Sequence, residues 1–319
     1  MPSAARIGCI GELLVEFVCS GKNGHHRRID AYTGPFPSGA PGIFIDQAAR
    51  TGSACIFVGA VGDDAFGHVV LDRLIDVGVD TRLIKIAAGV PTGSAFVSYN
   101  DDGSRDFVYN IALSAAAKFD GDDATIAALT AFGLDVMHVS GSALSNPDMS
   151  AKVLRVCKAL HGKGVKLSFD PNVRKELIAN PAYFNAVRDL IEIAAVFMPS
   201  EEDAAVLFPG EGITSLAPKL FAKGAEYVIL KRGDHGAEGM SRAGERVSLM
   251  AHRVEALDPT GAGDCFCATF VSLMASGKYT FEASLARANA AGALAVTRVG
   301  PMEGNSSIAE VEAFLAVRS

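Results

Sequence analysis

The chain has 319 residues, 49% of them hydrophobic, 20% charged and 8% aromatic, which excludes a disordered or fibrous polypeptide and supplies ample apolar material for a core. Asp plus Glu number 36 against 29 Lys plus Arg, a formal net charge of −7, which argues against a nucleic-acid-coating surface. No uncharged apolar run reaches the roughly 18 residues that span a bilayer, so no membrane partner is expected. The stretch 7–19 carries Glu12 and Glu16, lacks the flanks of a signal peptide, and reads as a first strand. Period-two alternation over 13–34, and again over 92–110 around Asn100-Asp101-Asp102-Gly103, predicts hairpin strands without a covering helix. Elsewhere short β-branched runs alternate with helical patterns: 55–59 then 66–77, 135–139 then 149–161, 165–169 then 183–193, 195–198 then 201–208. Strands follow at 227–231 and 237–240, a hairpin-like stretch at 246–251, and closing helices at 263–276, 281–297 and 308–317.

This alternation predicts an α/β fold, a doubly wound, mainly parallel sheet flanked by helices. Residues 1–319 are read as one domain, with a small β-sheet lid from about 13–34 and 92–110. The six cysteines include no CxxC pair and suit small core positions in a reducing, cytoplasmic compartment. Cys265 and Cys267 are read as packing residues, and His25-His26-Arg27-Arg28 as a solvated loop tip.

The most informative string is Asp258-Pro259-Thr260-Gly261-Ala262-Gly263-Asp264, directly before an apolar helical run. Its small residues let successive backbone N–H groups face one space, and the helix adds its positive end, so the loop suits an anion. A carboxylate at that place, Asp264, is repelled by phosphate and is useful there as the acceptor of a proton from an attacking hydroxyl.

This string, with the segment Val58-Gly59-Ala60-Val61-Gly62-Asp63-Asp64-Ala65-Phe66-Gly67, resembles the ribokinase-like (PfkB) carbohydrate kinases. Pro91-Thr92-Gly93, Phe169-Asp170-Pro171-Asn172-Val173-Arg174, Ala288–Ala293 and Thr297–Gly300 extend the likeness along nearly the whole chain. The resemblance implies a ribokinase-like fold with a β lid, ATP as donor, Mg²⁺ and a sugar acceptor. It casts Asp264 as catalytic base, and the amides of Gly261, Ala262 and Gly263 as the anion hole. It places Lys231, Gly233, Gly236, Asn289 and Thr260 with the nucleotide, and Arg174, in the Asp-Pro-Asn-x-Arg string, at the acceptor or the γ-phosphate. Asp258 and Thr260, with backbone carbonyls near Ala295, Arg298 and Gly300, match the K⁺ loop of potassium-activated relatives.

Three places depart from the family pattern. Ser200-Glu201-Glu202-Asp203 stands where an Asn-x-x-Glu element often serves Mg²⁺; Asp203 through an ordered water would suit that ion, and an acidic helix start capped by Ser200 explains the same letters. Glu16 occupies the place of an Asp that grips sugar hydroxyls. Pro37-Ser38-Gly39-Ala40-Pro41-Gly42-Ile43 resembles the GGAPxN loop, with Ser38 for Gly and Ile43 for Asn. The acceptor site is therefore expected from Glu16, Gly39, Ala40, Arg105, Asp170 and Asn172, with Arg105 sharing a strand face with Phe107.

The leading reading is an ATP-dependent kinase acting on a primary hydroxyl of a ketose, a ketohexose such as fructose or tagatose. The alternatives are a 2-keto-3-deoxygluconate kinase, for which Arg105 or Arg174 would be essential, and a non-catalytic sugar-binding regulator on the same fold. A nucleoside kinase is a weaker choice in a chain without tryptophan. A homodimer through the lid is expected, because an uncovered sheet edge is a hazard that pairing removes.

Overall fold

The computed structural model describes residues 4–102, 104–173, 177 and 179–317. Nine strands form the main sheet: β1 (Arg6–Ile10), β4 (Ala54–Gly62), β5 (Asp80–Ala87), β8 (Val136–Ser140), β9 (Lys166–Asp170), β10 (Val196–Phe197), β11 (Tyr227–Lys231), β12 (Ala237–Ser241) and β13 (Arg246–Leu249). A second sheet holds β2 (Leu14–Cys19), β3 (Tyr32–Ser38), β6 (Gly93–Tyr99) and β7 (Arg105–Asn110). The main order is β13-β12-β11-β10-β9-β8-β1-β4-β5; the pairings from β5 through to β11 are parallel, and β12 and β13 close the sheet antiparallel. Residues of β8 and most of β9 are buried on both faces, as expected of parallel strands covered by helices on both sides.

One apolar cluster packs α3 (Asp123–Phe132), α4 (Pro147–His161), α5 (Pro181–Ile193) and α7 (Ile213–Lys223) against the sheet. The other packs α1 (Ala40–Arg50), α2 (Ala65–Asp76), α8 (Ala262–Ser276) and α9 (Phe281–Ala295). The doubly wound α/β sheet expected from the alternation is thus present. Its strand order reverses between β1 and β8, and in open parallel sheets the crevice outside the carboxyl ends at such a point is where ligands sit.

Several boundaries differ from the sequence reading. The stretch 7–19 is two strands, because Gly11 turns the chain out of the main sheet with φ 154; a Cβ there would come 2.6 Å from Pro41 Cγ. The second strand of the 13–34 hairpin runs on to Ser38, and β2 pairs with β6 in parallel. The reading named no element for β5, α3 or α7. β5 has only two buried residues, which weakens its apolar pattern, and α7 carries Pro218 in its interior, which disguises a helix.

The Gly-Asp-Asp string and Pro91-Thr92-Gly93 are one structure. Asp64 caps α2 by accepting from the Gly67 amide at 2.8 Å, and also accepts from the Thr92 amide and hydroxyl, each at 2.7 Å. Burial alone would raise this carboxyl, but the Thr92, Gly67 and Phe66 bonds outweigh it and hold it below its usual range. We expect Asp64→Ala to destabilise the fold by about 2 kcal/mol, with Asp63→Ala, at an exposed position, close to neutral in denaturant titration. Because the folded pKa is lowered, that difference should be full at neutral pH and vanish as pH falls through the folded value.

Candidate active site

The glycine-rich loop ends at Gly261, the N-cap of α8, with φ 85; a Cβ there would come 2.6 Å from the Pro301 carbonyl oxygen. A side chain is therefore barred both by the backbone conformation and by the space. No side chain caps α8, so first-turn amides, those of Ala262 and Gly263 among them, lack intrahelical acceptors while the helix dipole adds positive potential. Gly261, Gly263 and Asp264 line a cavity of about 760 Å³, and Asp264 is buried at its wall. The cavity lies over the carboxyl ends of β9, β10 and β11, with the second sheet as its opposite wall.

At its floor Lys231, the last residue of β11, forms an ion pair with Asp170, the last residue of β9. Burial would lower the lysine pKa, but the Asp170 carboxylate outweighs it and keeps Lys231 protonated. Lys231 Nζ would lie 3.4 Å from a Cβ at Gly263, which sets its charge beside the uncapped helix start. Cys267 Sγ lies 3.6 Å from both the ammonium and the carboxylate.

On the opposite wall, Glu16 of β2 is buried, with one carboxylate oxygen accepting from Ser38 Oγ at 3.3 Å and the other without a partner. Burial and the nearby charge of Asp258 push its pKa up to about 7, against the opposing pull of Ser38 and Arg105. Leu14, Ala95, Phe107 and Tyr109 line the same wall, and Arg105 lies over the Phe107 ring at 5.5 Å. Gly39 and Ala40, at the start of α1, complete this end with Asn172.

Residues 9–308 match the family described as pfkB family carbohydrate kinase. The chain belongs to that family. It is 31% identical to a fructokinase of Escherichia coli over 277 residues, covering 84% of this chain and 88% of the relative. It is 29% identical to a fructokinase of Klebsiella pneumoniae over 273 residues, covering 83% and 87%. A candidate ribokinase II of Escherichia coli, solved in complex with ATP and Mg²⁺, superposes with a TM-score of 0.90 at 36% identity, covering 98% of this chain and 99% of that one. This chain is therefore a sugar kinase, a phosphotransferase of the pfkB class.

Among the remaining positions of this pfkB kinase, Arg174 lies outside the described residues. Asp203 is the third residue of α6 (Glu201–Leu207) and forms a capping box with Ser200; its oxygens accept from the Ser200 amide at 2.9 Å and the Val173 amide at 2.8 Å while it also lines the cavity. Asp258 is fully buried, and its carboxylate accepts from the Tyr99 hydroxyl, from the Thr260 amide at 2.9 Å and from the Gly300 amide at 2.9 Å. Leu257 N–H donates to the Val296 carbonyl at 2.8 Å, so Asp258 and Thr260 are brought beside the 295–300 segment of Ala295, Arg298 and Gly300.

Gly233 lines the cavity, whereas Gly236 closes the β11–β12 turn against β13. Asn289, on α9, is not a lining residue and donates to the Met250 carbonyl at 2.8 Å. Ile43 is a buried neighbour of Cys265, Ala295 and Met302 and would stand 3.1 Å from a Cβ at Gly261, so it backs the glycine loop. The sequence reading did not foresee the Lys231–Asp170 pair, for which strand ends in neighbouring βαβ units are the available signal. It named Ser38 without a role and gave none to Tyr99, which stands opposite Arg105 in the β6–β7 pairing.

Lys231→Met should cost about 3–5 kcal/mol by leaving the buried Asp170 carboxylate uncompensated, and the double variant with Asp170→Asn should recover most of that loss in denaturant titration. A raised carboxyl binds more protons when folded, so Glu16 should weaken the fold as pH rises from about 4.5 to 7. Glu16→Gln should then raise the melting temperature at pH 8 and leave it nearly unchanged near pH 4.5, read by calorimetry.

Proposed function

We propose that this kinase transfers the γ-phosphoryl group of ATP to a primary hydroxyl of a ketohexose, with fructose the first candidate. The observation that carries the reading is the cavity that sets Asp264 and the uncapped start of α8 across from the buried, half-unpartnered Glu16. The fructokinases to which the chain is about 30% identical support the acceptor. In this reading Asp264 takes the proton of the attacking hydroxyl at its carboxylate. The Gly261, Ala262 and Gly263 amides and the Lys231 ammonium hold the phosphoryl oxygens, where each preorganised donor is worth about 10²–10³ in rate. Glu16, Gly39, Ala40, Arg105 and Asn172 orient the acceptor, while Asp170 acts through Lys231.

The second sheet is the lid that excludes water from the transfer. Gly233 and Thr260, which line the cavity, serve the nucleotide end, with Gly236 and Asn289 shaping the β11–β12 turn and α9 behind it. Among the described residues no three acidic, histidine or cysteine side chains gather as a metal cage, which fits an ion that needs few protein ligands besides phosphates. Mg²⁺ would neutralise the phosphate charge, held through water by Asp203, whose oxygens already accept backbone bonds. Asp258 is satisfied by three donors, so K⁺ would rest mainly on the carbonyls of Ala295, Arg298 and Gly300.

The open edges β3 and β7, with Val108 exposed beside the cavity-facing residues, support a homodimer through the lid. Six buried free thiols support a cytoplasmic setting. The test is coupled ATP turnover over fructose, tagatose, ribose and 2-keto-3-deoxygluconate. Turnover of fructose, with kcat lowered about 10³-fold by Asp264→Asn, is expected. Turnover confined to 2-keto-3-deoxygluconate would replace this reading with an acidic sugar held by Arg105.

A further inference from the structure

Two residues of the second sheet touch the glycine-rich loop. Tyr99, at the end of β6, donates its hydroxyl to Asp258 and lies 3.5 Å from Thr260 Oγ1; Arg105, at the start of β7, donates to the same Thr260 Oγ1 at 3.3 Å. They are direct partners across the β6–β7 hairpin, so one end of one hairpin grips the loop at two points. The far side of the loop is equally fixed. Asp258 accepts from the amides of Thr260 and Gly300, and Gly261 leaves no room for a Cβ beside the Pro301 carbonyl, so 258–261 and 300–301 are held against each other.

Glu16 belongs to the same sheet as Tyr99, since β2 pairs in parallel with β6 through Glu16 and Ala95. The acceptor-facing acid and the grip on the loop are therefore parts of one hydrogen-bonded body.

We propose that Tyr99 is a positioning residue for phosphoryl transfer, tying the second sheet to the loop 258–261 so that the start of α8 is set for transfer only while the sheet lies over the acceptor. This rests on the reading of that sheet as a lid and of the α8 start as the anion hole. Loss of the hydroxyl frees the sheet and the loop to move separately, which slows transfer and admits water. It does not remove any group that touches the acceptor.

The experiment compares the full-length protein with Tyr99→Phe, which keeps the ring. Hydrogen exchange, which needs no substrate, should show amides of 258–263 exchanging several-fold faster in the variant, with the cores under α4 and α5 unchanged. With fructose and ATP, kcat should fall about 10-fold, the loss of one bond to a charged acceptor, while KM for fructose stays within about two-fold. The ratio of free phosphate released to sugar phosphate formed should rise several-fold. Unchanged exchange at 258–263 overturns the proposal, whatever the acceptor proves to be. Faster exchange with an unchanged kcat and product ratio overturns the positioning role. Wild-type protein inert on fructose overturns the acceptor reading alone, and exchange still decides the contact.

Discussion

Everything at this site turns on a helix that begins without a cap. α8 is buried along most of its length, from Asp264 to Leu273, so the core holds its body, while its start at Gly261 has no side-chain cap and opens on the cavity. A helix start left open at the edge of a core is costly unless something outside the chain satisfies it. The surroundings keep it open. Gly261 has no room for a side chain, Ile43 backs the loop, and Lys231 adds a second positive centre held in place by Asp170.

That arrangement is anchored from below by polar groups on α1. Asp46, fully buried, binds Arg50 and Arg73, and Arg73 also donates to the Met302 carbonyl at 2.6 Å. Gln47 donates to Thr269 of α8 at 3.0 Å and to the Ser306 carbonyl at 2.8 Å, and accepts from the Ser306 amide at 2.8 Å. Buried polar groups so fully satisfied specify one arrangement. They couple α1, α8 and the 300–306 segment, the same segment whose Gly300 amide binds Asp258.

The parts legible in the sequence are those whose cause is local. Alternating strand and helix periods gave the doubly wound sheet, and the boundary of α8 follows from its own glycines. The sequence reading starts α4 and α5 two residues late, at 149 and 183, although their caps are equally local, Asn146 before Pro147 and Asn180 before Pro181. What stayed hidden depends on chain segments far apart. The Lys231–Asp170 pair needs the strand order β9-β10-β11, and the exit of the chain at Gly11 needs Pro41 and Ala143 packed against it. Asp203 shows the limit most clearly: its letters fit a metal ligand and a helix cap, and only the bonds to Ser200 and Val173 show that the cap is formed.

The parallel pairing of β2 with β6 carries a consequence for how the molecule comes into being. Leu14 meets Gly93 across that ladder, so the contact encloses α1, β4, α2 and β5 within one long excursion of the chain. Closing such an excursion costs entropy before the ladder repays it. The part of the main sheet inside that excursion, β4 and β5 with their helices, is therefore expected to form before β2 and β6 zip. The cover is thus an element that closes late, over a floor already in place.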